Sequence, residues 1–276
     1  MSCCADAAAD SATRRLLEPV TVLANERIAE GVGLITLEAA SIASRVEPGQ
    51  FVHLRITQGA DFILRRPFSV HRAGADSLQL LYQVLGRGTR ALAEKRAGDR
   101  MDAIGPLGRG FTVPEGTTHA VVVAGGLGVA PMGLLLDRLA QRGVAVTAVV
   151  GAPTASRLVA MDVVEANASR VLACTDDGSH GVEGFVTAAL PDALADRPDV
   201  VYVCGPEPMA RAVAACCLEA GVPCQVSLER LMACGIGACL SCVVTLHSGL
   251  ARACMDGPVF DAEEVSWAAS EVPPRH

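Results

Sequence analysis

The sequence predicts a multi-domain β plus α/β protein: an antiparallel β-barrel, then a doubly wound parallel sheet, then a small C-terminal metal module. Three observations carry this reading. Short alternating segments separated by turn residues fill the chain from Val20 to about Thr112, apolar strands alternate with helical segments from His119, and cysteines crowd with glycines from about Arg230. The expected units are a flexible tail over 1–18, a barrel over 19–112, an α/β domain over 113–229 and a metal module over 230–276. A length of 276 residues suits about two full-sized domains and a sizeable core.

In the barrel, "VTVLANERI", "VGLITLEAA", "FVHLRIT", "PFSVHRA" and "LQLLYQVL" read as strands between Gly, Pro, Asp and Ser. "TRALAEKRAG" follows as a short helix closed by Gly98, and "DRMDAIGPLGRGF" as a last strand and loop. The texture changes at His119, where "AVVVAGG" leads into the helical "VAPMGLLLDRLAQRG", closed by Gly143. Next come "VAVTAVVG", a helix-like "ASRLVAMDVVEANA", "RVLACT", "VTAALPDAL", "DVVYVCG", "EPMARAVAACCLEAG" and "PCQVSLE". Strands alternating with helices imply a parallel sheet covered on both faces.

Charge narrows the function classes. The 23 basic and 30 acidic side chains give a formal net charge of −7, with the acids dispersed, which argues against nucleic acid as a partner. The long uncharged stretch Ala120 to Leu136 is broken by glycines and Pro131, unlike a membrane span. "MSCCADAAADSATRRLLEP" has acidic residues before its arginines and no apolar run, so cytoplasmic residence and reduced thiols are expected. Eleven cysteines, an odd count, cannot all pair as disulfides, which points to metal ligation.

Cys234, Cys239, Cys242 and Cys254 stand as C-x4-C-x2-C-x11-C, the first three at the plant-type [2Fe–2S] spacing. One tight loop must aim several sulfurs at a compact charged object. Gly235 and Gly237 permit the necessary backbone, and free N–H groups can then face the sulfurs. Four thiolates also hold zinc, usually as paired C-x2-C units, and that alternative stays open. The other seven cysteines read as small buried hydrophobes or, for Cys3 and Cys4, as part of the tail.

Two glycine-rich turns suit phosphate. "AGGLGVAP", with Gly125, Gly126 and Gly128, lies between a strand and a helix where backbone N–H groups can receive a dinucleotide pyrophosphate. Packing alone would also explain these glycines, but "CGPEPM", with Cys204, Gly205 and Pro206, ends a neighbouring strand beside the same crevice. In the barrel, "RRPFSV" offers a guanidinium for phosphate and a serine for a flavin edge, while "GRGT", with Gly86, Gly88 and Thr89, opens a helix.

These segments in this order, with "GPLGRGF", "TDDGSHGVEGFVT", "ERLMACGIGACLSC" and "ACMDGPVF", resemble the iron–sulfur electron-transfer subunits of NAD-dependent (type B) dihydroorotate dehydrogenase, within the ferredoxin–NADP reductase superfamily. The resemblance runs from about Pro19 onward. It implies an FAD-binding barrel, an NAD-binding α/β domain and a [2Fe–2S] module. It further implies Arg66 on the FAD phosphates, Pro67 and Phe68 in the flavin motif, and Ser69 near the isoalloxazine. Gly86, Gly88 and Thr89 would lie by the pyrophosphate, and Gly125, Gly126, Gly128, Cys204, Gly205 and Pro206 by the nicotinamide nucleotide. Phe68 stands where the wider superfamily carries tyrosine.

An FMN-containing catalytic subunit, joined in a heterotetramer, would oxidise dihydroorotate, and no catalytic residue is expected in this chain. Asp176 and Asp177 lie in a stretch typical of the family, with no role assigned. "GAPTASRL" carries no acid for a ribose hydroxyl, and Ser156 and Arg157 suit a 2′-phosphate, so the local residues do not choose between NAD and NADP. The rival readings are a small subunit of an NAD(P)H:ferredoxin or sulfide-linked oxidoreductase and, from another class, a redox sensor or zinc-binding module. His53, His71, His119, His180, His247 and His276 are scattered and read as ordinary buried or exposed histidines.

Overall fold

The structure is a computed structural model and describes residues 15–57 and 62–267. Cys3 and Cys4 lie outside the described residues. The first unit is a closed antiparallel barrel of β1 (Leu16–Ala29), β2 (Val32–Glu38), β3 (Phe51–Arg55), β4 (Arg66–Ala73), β5 (Ser77–Gln83) and β6 (Arg100–Leu107), in the order β1-β2-β5-β4-β3-β6. Two short helices, α1 (Ala40–Ala43) and α2 (Arg87–Ala93), bridge it. β1 closes the barrel against β6 from Leu16↔Gly105 to Thr21↔Arg100, so strand pairing begins inside the segment read as a tail.

Period-two alternation fills the interior: Val20 and Val22, Val52 and Leu54, Phe68 and Val70, and Leu78, Leu80 and Tyr82 form one core. Residues of opposite parity, Phe51 and Leu81, leave it and join the two cores of the sheet domain. Closure removes the exposed strand edges that an open sheet of this length would present.

The second unit runs through β7 (His119–Gly125), α3 (Met132–Gln141), β8 (Ala145–Ala152), α4 (Met161–Asn167), β9 (Arg170–Thr175), β10 (Val182–Glu183), α5 (Val186–Leu194), β11 (Val200–Cys204), α6 (Glu207–Ala220) and β12 (Cys224–Ser227). Its last segment adds a hairpin, β13 (Val243–Leu246) and β14 (Gly249–Arg252), and then β15 (Val259–Asp261). The seven-stranded sheet has the order β10-β9-β8-β7-β11-β12-β15, parallel except for β15, which runs antiparallel to β12. Helices α3 and α4 cover the face carrying Val122, Val146 and Val150, and α5 and α6 cover the face carrying Val121, Val123 and Val203. Leu135, Leu136 and Leu139 of α3 are fully buried, each contributing about 1.5–3 kcal/mol.

Besides the tail, three features depart from the sequence expectation. The helix read as closing at Gly98 spans Arg87–Ala93 and ends with Glu94 as its C-cap. Of the stretch 155–168, only Met161–Asn167 is α-helical, because Ala155–Arg157 form a single 3-10 turn and Ala160 sits at φ +54° before the helix. Moreover, β15 comes from the segment read as the metal module, so that segment completes the nucleotide-domain sheet.

Candidate functional site

Strand order reverses between β7 and β11, and ligands of open α/β sheets bind at such a switch point, beyond the carboxyl ends of the strands. A cavity of about 1180 Å³ opens there, lined by Gly125, Gly126, Gly128, Gly205, Pro206 and Met209 among others. The glycines are demanded by close approach. A Cβ on Gly128 would stand 2.1 Å from the Cys204 carbonyl oxygen, and one on Gly125 would stand 2.4 Å from Met209 Sδ. The structure thus brings the two nucleotide segments of the sequence to one crevice. Cys204 is buried and its thiol is pushed up to about 12, by burial first and Glu229 second, so it stays protonated.

On the barrel, Arg66 folds back over the loop before β4: its Nη1 donates to the carbonyls of Leu64 (2.8 Å) and Arg65 (3.1 Å). The guanidinium lies against the start of α2, since a Cβ on Gly88 would stand 3.1 Å from Arg66 Nε. Thr89 Oγ1 accepts the N–H groups of Leu85 (2.9 Å) and Gly86 (3.1 Å), so its hydroxyl closes the helix start. Ser69 and Pro67 have the parity opposite to Phe68 and Val70 and stand on the outer face of the barrel, opposite Phe51 and His53 of β3. Phe68, by contrast, is turned inward: it is 8% exposed and meets Tyr82 edge-to-face at 6.4 Å, as a residue of the barrel core.

The thiol loop follows β12. Among the described residues no three His, Cys, Asp or Glu side chains are gathered tightly enough to share one ion. The thiols are instead drawn together in pairs. Cys239 bonds to Cys234, its N–H donating to Cys234 Sγ at 3.4 Å, and Cys254 bonds to Cys242. The Ile236 N–H also donates to Cys234 Sγ, at 3.5 Å, and the Gly237 backbone bonds to Cys254. Gly235 and Gly237 sit at φ +69° and +85°, the left-handed turns that aim these amides inward. The Cys239 thiol is lowered to about 6, chiefly by the Ser241 hydroxyl, whereas burial and then Cys242 push Cys254 up to about 12.

Residues 229–266 match the family described as the iron–sulfur cluster binding domain of dihydroorotate dehydrogenase B, and residues 122–215 match the oxidoreductase NAD-binding domain. A dihydroorotate dehydrogenase B (NAD(+)) electron transfer subunit from Desulforamulus reducens is 40% identical over 253 residues, covering 89% of this chain and 97% of its own. The chain belongs to this family of electron transfer subunits. A second member, from Bacillus caldolyticus, is 40% identical over 258 residues, 90% of this chain and 98% of its own. The solved NADH-dependent reduced ferredoxin-NADP oxidoreductase, studied for flavin-based electron bifurcation, superposes at TM-score 0.82 with 31% identity over 90% of both chains. A Neisseria gonorrhoeae ferredoxin NADP+ reductase with bound FAD and NADP shares the fold at TM-score 0.61 and 19% identity, over 74% of this chain and 92% of that one.

Against that family background, the donor chemistry fits a [2Fe–2S] group: four thiols in two pairs, with backbone N–H groups aimed at the sulfurs. The barrel face with Arg66, Ser69 and the start of α2 fits an anionic flavin nucleotide, and the crevice fits a dinucleotide. Sequence reasoning missed three residues. Arg230 bonds Glu207 at 3.0 Å, tying the thiol loop to the first turn of α6, and Phe185 stands exposed on the crevice wall. His53 sits fully buried against the thiol loop, its Nδ1 3.2 Å from the Cys234 carbonyl oxygen. Strand parity was the available signal: Val52 and Leu54 face inward, so His53 must face outward. Asp177 caps its own turn through Ser179, which accounts for it structurally, and Asp176 lines the crevice. Among the described residues no helix is long and apolar enough to cross a membrane.

Proposed function

We propose that this chain relays electrons between a dihydroorotate-oxidising catalytic subunit and NAD+, with FAD and a [2Fe–2S] cluster as its resident carriers. The carriers supply the conversion: a cluster moves one electron at a time, NAD+ takes a hydride, and FAD works in both modes. The chain's own residues bind and orient them. Arg66 and the α2 start hold the flavin phosphates, Ser69 faces the ring edge, and Gly125, Gly126, Gly128, Gly205 and Pro206 admit the nicotinamide nucleotide. Cys234, Cys239, Cys242 and Cys254 hold the irons. The proposed division is a barrel over 16–112, a nucleotide domain over 113–229 whose sheet is completed by β15, and a cluster module from 230 onward. The partner carries FMN in a heterotetramer, and the complex is cytoplasmic, the compartment that keeps eleven cysteines reduced.

The observation that carries this reading is adjacency: the four-thiol loop packs on His53 of the β3–β4 face that bears Ser69, and the residues leading into the loop, Leu228, Glu229 and Arg230, line the crevice at β7 and β11. Anaerobic purification with iron, sulfide and flavin counts, then NADH titration, tests it. The expected result is two irons and one FAD per chain, with NADH reducing flavin and then cluster, and no dihydroorotate oxidation until the catalytic subunit is added. Zinc in place of iron, or a colourless protein, defeats it. The likeness to the NADH-dependent ferredoxin-NADP oxidoreductase favours one second reading, a ferredoxin-linked reductase subunit. Reduction of ferredoxin by NADH, with no response to a dihydroorotate-oxidising partner, would select that reading.

A further inference from the structure

We infer that His53 is a positioning residue that fixes the four-thiol loop against the flavin-bearing face of the barrel by donating its Nδ1–H to the Cys234 carbonyl. This rests on the proposed function for the identity of the two carriers, but the contact itself does not.

The imidazole stands between two elements far apart in sequence. Its backbone lies in β3 directly opposite Pro67, with Phe51 opposite Ser69 on the same outer face, one step along the ladder. Its ring meets the thiol loop at 3.2 Å from the Cys234 oxygen. The loop closes on it so tightly that a Cβ on Gly235 would stand 2.5 Å from Nδ1. Because a carbonyl only accepts, Nδ1 must carry the proton, which leaves Nε2 as the lone-pair nitrogen. Among the described residues that nitrogen is buried and makes no hydrogen bond, the Arg65 backbone being the other group that acts on the ring. A leucine or methionine would fill the same space without leaving a buried acceptor unpaired, so what histidine adds here is the one hydrogen bond that an apolar side chain cannot make.

The strand behind it is also held. Arg65 donates to the His53 carbonyl at 3.4 Å and to the Asp102 carbonyl at 3.2 Å, and it pairs with the Asp102 carboxylate. Fixing the Cys234 carbonyl fixes the peptide plane that leads into Gly235, Ile236 and Gly237. The amides of that turn are the ones aimed at sulfur, at Cys234 from Ile236 and at Cys254 from Gly237. His53 therefore sets both the separation of the loop from the Ser69 face and the orientation of the N–H groups around the thiols.

The test uses His53→Phe, which keeps a planar ring without a donor, and His53→Gln, which keeps a donor. In the holoprotein, His53→Phe is expected to retain FAD and its reduction by NADH, to shift the reduced-cluster paramagnetic resonance spectrum, and to slow flavin-to-cluster transfer about tenfold or more. His53→Gln should restore both spectrum and rate. Transfer in His53→Phe within about twofold of wild type, with an unchanged spectrum, overturns the inference. Should the Phe variant lose iron, hydrogen exchange at the Ile236–Cys239 amides of the iron-free chain decides. Faster exchange in His53→Phe and wild-type exchange in His53→Gln support the contact, and equal exchange in all three chains overturns it. A wild-type chain without iron or flavin would sink the proposed function alone, because the exchange result is read without either carrier.

Discussion

Gly128 shows how little room the nucleotide crevice leaves at the level of one atom. A methyl there would meet the Cys204 carbonyl at 2.1 Å, and that atom is backbone, which cannot swing away. Gly128→Ala should therefore part the β7–α3 turn from the end of β11. Thermal melting should register a loss of about 1–3 kcal/mol. NADH reduction of the flavin should fall, while the cluster spectrum, which depends on a different loop, stays unchanged. Normal NADH reduction in this variant would mean that the crevice does not hold the nucleotide. The glycine-rich strand-to-helix turn around Gly128 was legible in sequence, but the close approach of β11 that demands glycine there was not, because it is set by tertiary packing. Phe68 was not: the motif places it beside Arg66 and Ser69, but strand parity sends its ring into the barrel with Tyr82. His53 was hidden for the converse reason. A lone histidine in a strand carries no local signal, and its partner lies 181 residues away.

At the scale of elements, the barrel docks on the sheet domain through β4 and α3. His71 Nδ1 donates to the Ala130 carbonyl at 2.9 Å, and Arg72 grips Asp137 with Nε at 2.8 Å and Nη2 at 2.9 Å. Gly133 lets α3 come close enough, since a Cβ would stand 2.5 Å from the His71 carbonyl oxygen. Burial lowers the His71 pKa below its ordinary 6.5, opposed by the bond to Ala130 and by Asp137 and Asp162, and aided by Arg72. The folded state thus favours the neutral ring. Its contribution to stability is full above about pH 6.5 and is lost as pH falls through the lower folded value. Melting between about pH 8 and pH 5 should show a decline below 6.5 that His71→Gln makes shallower; identical slopes would remove His71 from the interface. Most elements were readable from periodicity, as with the alternation of β5 and the apolar stripe of α3. The α4 boundary was not, because Ala160 breaks the helix with a left-handed residue that no turn signature announces. β15 was not either, since three residues give no period and the strand's partner is set by tertiary pairing.

For the whole molecule, the question is whether the cluster holds the C-terminal segment together or is held by it. In a zinc finger the metal supplies the folding free energy, and the apo chain is unfolded. Here Val244, Ala251, Ala253, Phe260 and Val265 belong to the same core as Val121, Val203 and Val213 of the sheet domain, and β15 is hydrogen-bonded into the sheet edge. The segment therefore has an apolar anchor independent of iron. Cys242 and Cys254 lie inside that anchor, while Cys239 is exposed, so the metal side of the loop faces outward from a core already formed. Stripping iron with a chelator under mild oxidation should then leave FAD bound, NADH reduction of flavin intact and the main melting transition in place. Dihydroorotate-driven reduction of NAD+ in the complex with the catalytic subunit should be abolished, because the single-electron step has lost its carrier. Flavin analysis, melting and the coupled assay on one stripped sample separate the outcomes. Release of FAD or loss of the cooperative transition on iron removal would mean that the thiol loop is a folding nucleus and not a passenger on the sheet.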